Sequence, residues 1–181
     1  MTIGERTEIY GGAVKPEPSD RRLLSESEGY ELLAKRGIPV PDHAVARDAN
    51  EAVSAAKSIG FPVVMKVVSP QVVHKSDAGG VVVGVRSEQE VIAAFDQIAR
   101  SVKTRIPEAD ITGIIVEKMM PPGLELIIGG KTDPSFGKVV TFGLGGELVE
   151  LIKDVSIRVL PIDANEIQSM MTEIKGYALI K

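Results

Sequence analysis

A chain of 181 residues with 44% apolar and 25% charged side chains suits one compact domain or two small lobes, and excludes a wholly disordered or collagen-like polymer. The net charge of −4 and an aromatic content of 4%, with no Trp, exclude a broad basic field and a base-stacking platform, so no nucleic-acid partner is expected. Zero cysteines exclude disulfides and thiolate sites, and the sequence shows neither a signal-peptide core nor an apolar stretch long enough to span a bilayer, so the expectation is a cytoplasmic protein without a membrane anchor.

Residues 1–22 mix Gly11, Gly12, Pro16 and Pro18 with charges and no period, and are expected to be a tail or a partner-contacting segment. Organised sequence starts near Ser25. The pairs Ser25/Glu28, Asp48/Glu51, Ser87/Glu90 and Asp163/Glu166 predict four helix starts, because a side-chain oxygen at the cap accepts an orphan backbone N–H while an acid three residues on reaches back. Helical apolar spacing follows in Ala52, Val53, Ala56, Ile59, then Val91, Ala94, Phe95, Ile98, Val102, then Ile167, Met170, Met171, Ile174. Gly37 and Gly60, each with a proline two residues on, read as helix stops. Between the helices, runs at 63–68, 81–85, 111–116, 124–128 and 139–142 read as strands. That order predicts an α+β (or α/β) fold with a first lobe over 23–112 and a second over 113–181.

Two nucleotide signatures fail. The GGKT at 129–132 lacks the earlier glycine of a P-loop, since Glu125 stands there, and the FGLGGEL at 142–148 has Leu148 at the third glycine position of a dinucleotide fingerprint. Lys66 is more informative. It interrupts the apolar run PVVMKVV, so it either guards an edge strand or meets an anion. Eight residues on, HKSDAGG at 74–80 gathers Lys75, Ser76 and the Gly79–Gly80 backbone into a set of anion donors, although the same string also serves as a charged hairpin tip. His74 opens this turn, where an imidazole can act as a phosphoryl nucleophile or as an acid/base, while His43 reads as an ordinary surface or hydrogen-bonding residue. Glu117 and Glu125 are candidate acceptors for a nucleotide's amine or ribose. Glu147, Glu150 and Asp154 share one face if their stretch is helical, a spacing that suits either Mg²⁺ or solvent. Met119, Met120, Met170 and Met171 read as flexible core or pocket lining.

The strings LLAKRGIPVP (32–41), FPVVMKVVSPQVVHKSDAGGVVVGV (61–85), IIVEKMMPPGLELIIGGKTDPSFGKVVTFGLGGELVELIKDVSIRVLP (114–161) and IKGYALIK (174–181) resemble the ATP-grasp module of nucleoside-diphosphate-forming acyl-CoA synthetases, in particular the β subunit of ADP-forming acetate–CoA ligase. The resemblance implies an ATP-grasp fold of two α+β lobes gripping ATP or ADP with Mg²⁺. It also implies a carboxyl-terminal end cut short, because the family module continues past the position matching Lys181 into a further metal-binding strand. In that family the residue matching His74 is phosphorylated and exchanges its phosphoryl group with ADP. Lys66 contacts phosphates, under a loop carrying Lys75, Ser76, Gly79 and Gly80. Glu117, Lys118 and Met119 match the hinge beside adenine, Glu125 the neighbourhood of ribose, and Glu150 or Asp154 that of Mg²⁺. The implied reaction is acyl-CoA + ADP + phosphate ⇌ carboxylic acid + ATP + CoA. The implied partner is an α subunit carrying CoA-binding and ligase domains, in a heterotetramer. The alternative is the same module from a fused acyl-CoA synthetase or a protein acetyltransferase-like chain, with a regulatory nucleotide site; a non-catalytic interaction module is the reading from another class.

Overall fold

Side-chain caps fix where the helices begin. The computed structural model describes residues 23–146 and 154–181, which fall into two units divided between Met120 and Pro121. In the first unit α1 (Glu26–Ala34) carries a complete capping box from Ser25 and Glu28. Asp48 caps α2 (Ala49–Ile59) through the N–H groups of Asn50 and Glu51, and Ser87 caps α3 (Glu88–Arg105) through that of Glu90. Gly60 stops α2 at a φ of 85°, a left-handed conformation that side chains resist.

The strands β1 (His43–Ala46), β2 (Val63–Val68), β3 (Val81–Val85) and β4 (Gly113–Lys118) form an antiparallel sheet in the order β1-β4-β2-β3. Alternation along β2 and β4 separates two faces. Val63, Met65, Val67, Ile114 and Val116 pack with Ala52 and Ala56 of α2 and with Val91, Ala94, Ile98 and Val102 of α3 in one buried core. The opposite face carries His43, Glu117 and Val64 on one rung and Val45, Ile115 and Lys66 on the next. That face bears the candidate site.

Two sequence expectations are revised. The expected first lobe ended at 112, but β4 is an interior strand of the first sheet, buried from Gly113 to Glu117, so the unit extends to Met120. Lys66 does not guard an edge, because β2 lies between β4 and β3.

The second unit is a β-meander closed by a helix. β5 (Leu126–Asp133), β6 (Gly137–Leu144) and β7 (Val155–Val159) pair antiparallel in sequence order. The Asp133 carboxylate accepts the N–H groups of Ser135 and Phe136 to shape the β5–β6 turn. GGKT lies wholly within β5, where it is paired with β6, which accounts for its failure as a phosphate loop. The helix α4 (Ala164–Glu173) starts from an Asp163/Glu166 capping box and is joined to β7 by Arg158–Glu173 at 2.5 Å and by the buried Ser156 hydroxyl donating to the Met170 carbonyl at 3.0 Å. Met170 is core, as read from its spacing, whereas Met120 is 64% exposed. Among the described residues no helix is long and apolar enough to cross a membrane.

Asp154 is buried at the end of this unit, and its two oxygens accept the N–H groups of Lys175 and Gly176 at 2.8 and 2.6 Å, closing the turn into the short α5 (Tyr177–Ile180). Replacing Asp154 by Ala orphans both donors, so urea unfolding of Asp154→Ala in chelator is expected to show a loss of about 1–3 kcal/mol with no divalent cation present. Unchanged stability would remove this structural role.

Candidate functional site

Lys66 points from β2 onto the sheet face opposite the two long helices, and its neighbours follow from register. Glu117 sits on β4 diagonally across from it, one rung away, within reach of a long side chain. The two form an ion pair with Glu117 only 6% exposed. A second carboxylate comes from the first turn of α1: Glu26 Oε1 lies 2.7 Å from Lys66 Nζ, and its Oε2 lies 2.5 Å from Lys75 Nζ. Tyr30, one turn along α1, donates its hydroxyl toward both Glu26 and Glu117 at 3.1 Å, and its ring packs against that of His43 at 4.8 Å with the planes tilted by 57°. The His43 ring nitrogen Nδ1 is 3.0 Å from the Pro41 carbonyl, so this histidine is a hydrogen-bonding residue, as its sequence reading allowed, and it packs against Tyr30.

The charges explain one another. Burial alone would raise the Glu26 carboxyl, but hydrogen bonds and charge from Lys66 and Lys75 overcome it and hold the group at about 2. Burial likewise disfavours the Lys66 ammonium, and Glu117 and Glu26 outweigh that and raise it above an ordinary lysine. Burial pushes the Tyr30 hydroxyl up, and the two carboxylates push it further, so it remains a donor. The two ammonium groups share this one carboxylate, each through its own oxygen.

The connection from β2 to β3 carries the other candidates. Val72 and Ala78 are buried in the core, and between them the arc 73–77 leaves His74 exposed and Lys75 turned in to Glu26. Backbone N–H groups of Ala78, Gly79 and Gly80 donate to the carbonyls of His74, Ser76 and Lys75, folding the arc tightly. Arg105 of α3 holds the Asp77 carbonyl at 2.9 Å. A Cβ on Gly80 would stand 2.5 Å from Val67 Cγ1, so the loop closes against β2 only without a side chain there. A cleft of about 680 Å³ runs beside this arc and the start of α1, with Val45, Val68 and Val72 among its walls and Lys75 at its rim.

Lys66, Lys75 and Glu117 thus converge, with Ser76, Gly79 and Gly80 in the adjoining turn. Lys118 turns away and donates to the Gly60 carbonyl at 2.9 Å, and the Met119 N–H donates to the Pro62 carbonyl, so both secure the end of α2 and the start of β2. Glu125 and Asp154 belong to the second unit, where the Glu125 carbonyl accepts the Gly145 N–H at 2.7 Å. Glu147 and Glu150 lie outside the described residues. Among the described residues no three His, Asp or Glu side chains are grouped to hold a metal ion. Sequence reasoning missed Glu26 and Tyr30. Their one available signal, an acid and a tyrosine four apart on α1, is common on solvated helices.

Comparison with known proteins gives this geometry a setting. The model of the ATP-grasp domain family matches residues 16–181. The β subunit of an ADP-forming acetate–CoA ligase I from Pyrococcus furiosus is 46% identical over 167 residues, covering 92% of this chain and 72% of that subunit. A solved Ca. Korarchaeum cryptofilum dinucleotide-forming acetyl-coenzyme A synthetase 1, in complex with coenzyme A, Ca-AMPCP and HgCl⁺, superposes with a TM-score of 0.86 at 50% identity over 90% of this chain and 71% of its own. A further structure of that enzyme with coenzyme A and Mg-AMPPCP, its phosphohistidine segment pointing towards the nucleotide binding site, gives 0.71 at 46% identity over 87% and 66%.

The depressed Glu26 carboxyl sets a direction for acid stability. Its folded value of about 2 lies below the ~4.3 of a free glutamate, so the stabilisation is complete above that range and is lost as pH falls towards 2. Chemical unfolding of the wild type and Glu26→Gln across pH 2–7 is expected to show a gap of roughly 1–3 kcal/mol at neutral pH that closes on acidification. A gap independent of pH would contradict this.

Proposed function

The chain belongs to the ATP-grasp family and to its ADP-forming acetate–CoA ligase β-subunit group, and from that premise we propose that it is the nucleotide-handling module of an ADP-forming acyl-CoA synthetase. In this reading it moves a phosphoryl group between a phosphohistidine at His74 and ADP. The observation that carries the reading is the pair Lys66 and Lys75 converging on one carboxylate, with exposed His74 next to Lys75. An anion receptor stands beside a nucleophile that bears no buried load.

The donor set fits nucleotide phosphates. Glu26 already presents an anionic oxygen to each lysine, at the spacing that two phosphate oxygens would take over. The step is a displacement in which the P–N bond of phosphohistidine breaks as a P–O bond forms to a terminal oxygen of ADP, giving histidine and ATP. Lys66 and Lys75 offset charge on the phosphoryl oxygens, and Glu117 with Tyr30 hold Lys66 in place. Magnesium would supply further charge neutralisation when bound with the phosphates, and it commonly takes only one or two protein carboxylates. Glu150 and Asp154 are the proposed contributors, although Asp154 also accepts two backbone donors. Lys118, Met119 and Glu125 are proposed nearer the adenine and ribose. A separate α subunit with CoA-binding and ligase domains, in a heterotetramer in a cytoplasmic setting, completes the proposal, and the subunit naming of the Pyrococcus relative supports a partner.

The test uses Mg²⁺ and γ-phosphate-labelled ATP with the wild type, His74→Ala and Lys66→Met. Acid-labile, base-stable label is expected on the wild type and absent from His74→Ala, and ADP is expected to chase it to ATP. Lys66→Met is expected to weaken ATP binding about 10- to 100-fold, the loss of a charge-assisted contact. Label that survives in His74→Ala, or ATP affinity indifferent to Lys66, would overturn the reading.

A further inference from the structure

One carboxylate joins two lysines that are nine residues apart and belong to different kinds of structure. Lys66 stands on an interior strand with Glu117 as a second partner, whereas Lys75 rides on the arc that carries His74 and is paired with Glu26 at 2.5 Å. Glu26 lies 49 residues away from Lys75 in sequence, and the Ser25/Glu28 box fixes it at the start of α1. The helix itself has no buried residue. Among the described residues, Glu26 and Tyr30 tie it to the sheet face.

We propose that Glu26 is a positioning residue that latches the His74 arc to the sheet face through Lys75, and that phosphate oxygens release the latch by taking its place. The phosphate half of the proposal rests on the function proposed above, whereas the latch half does not. Position carries the argument. Glu26 presents one oxygen to Lys66 and the other to Lys75, and phosphate oxygens that pair with both lysines must take those same places, so a carboxylate has to withdraw. Glu117 is held on a strand buried on both sides and cannot, while Glu26 sits on a helix without buried anchors and can. The withdrawal frees Lys75, and with it the arc, when phosphate arrives at Lys66 or forms on His74.

Hydrogen–deuterium exchange of the whole chain without nucleotide tests the latch. Glu26→Gln is expected to speed exchange at Ala78, Gly79 and Gly80 about ten-fold beyond any change shared by β2 and β4, which report the loss of global stability. Lys75→Met should reproduce this from the other side of the pair, the double variant should add little to either single one, and Tyr30→Phe should leave the arc protected. Wild-type exchange in the arc of Glu26→Gln, additive effects in the double variant, or protection lost evenly across the first unit would overturn the latch. Calorimetry with Mg²⁺ and ADP tests the release: three- to ten-fold tighter binding by Glu26→Gln supports displacement, and equal or weaker binding overturns it. Exchange needs neither nucleotide nor phosphohistidine, so failed labelling of His74 with an opened arc would sink the function and leave the latch standing.

Discussion

A lysine on an interior strand constrains everything around it. Lys66 lies between β4 and β3, and an ammonium there costs several kcal/mol unless it is paired and hydrogen-bonded. The sheet register answers half of the demand by putting Glu117 one rung away on the same face. Glu117 is itself nearly buried and needs the lysine as much as the lysine needs it. Each group offsets the other, with Glu26 adding to Lys66 and Tyr30 to Glu117, and the pair is best understood as one electrostatic unit around which α1 and the β2–β3 connection are arranged.

The helices differ in what attaches them. Ala52 and Ala56 of α2, and Val91, Ala94, Ile98 and Val102 of α3, disappear into the core, so those helices are held by apolar burial that varies little with solution conditions. The opposite helix has nothing of the kind. Among the described residues it is tied down by a carboxylate between two ammonium groups and by a tyrosine whose ring packs tilted against His43 and whose hydroxyl reaches two acids. Attachment through charge responds to other charges, and attachment through apolar area does not. The first sheet therefore has one side held by apolar burial and one side held by charge.

Much of this was legible in the sequence because it is local. All four caps, the stop at Gly60 and the strands over 63–68 and 81–85 follow from chemistry within a few residues, and the structure has them where those rules put them. Lys66 and the 74–80 string stood out because each breaks the pattern around it. What was not legible is pairing at long range. Whether Lys66 guards an edge or neutralises a buried acid depends on β4 crossing back to pair with β2, 50 residues later, and the same crossing moved the unit boundary from 112 to 120. Glu26 was hidden for a different reason. An acid in the first turn of a helix is already explained by the backbone dipole, so the sequence offers no residue of surprise to mark its second role.

The arc that bears His74 also sets a limit on its own motion. Val72 and Ala78 are 2% and 4% exposed, which makes them pegs in the core on either side of a five-residue loop. His74 is two residues from Val72, so with that peg in place its Cα stays within about 7 Å of the Val72 Cα, from ~3.5 Å of reach per residue. Rearrangement inside the arc can turn the imidazole, but it cannot displace it by tens of ångströms. Travel of that kind requires Val72 to leave the core, at a cost of roughly 1.5–3 kcal/mol for the exposed side chain. In the proposed release, parting Lys75 from Glu26 would be the small step and exposing Val72 the larger, apolar one.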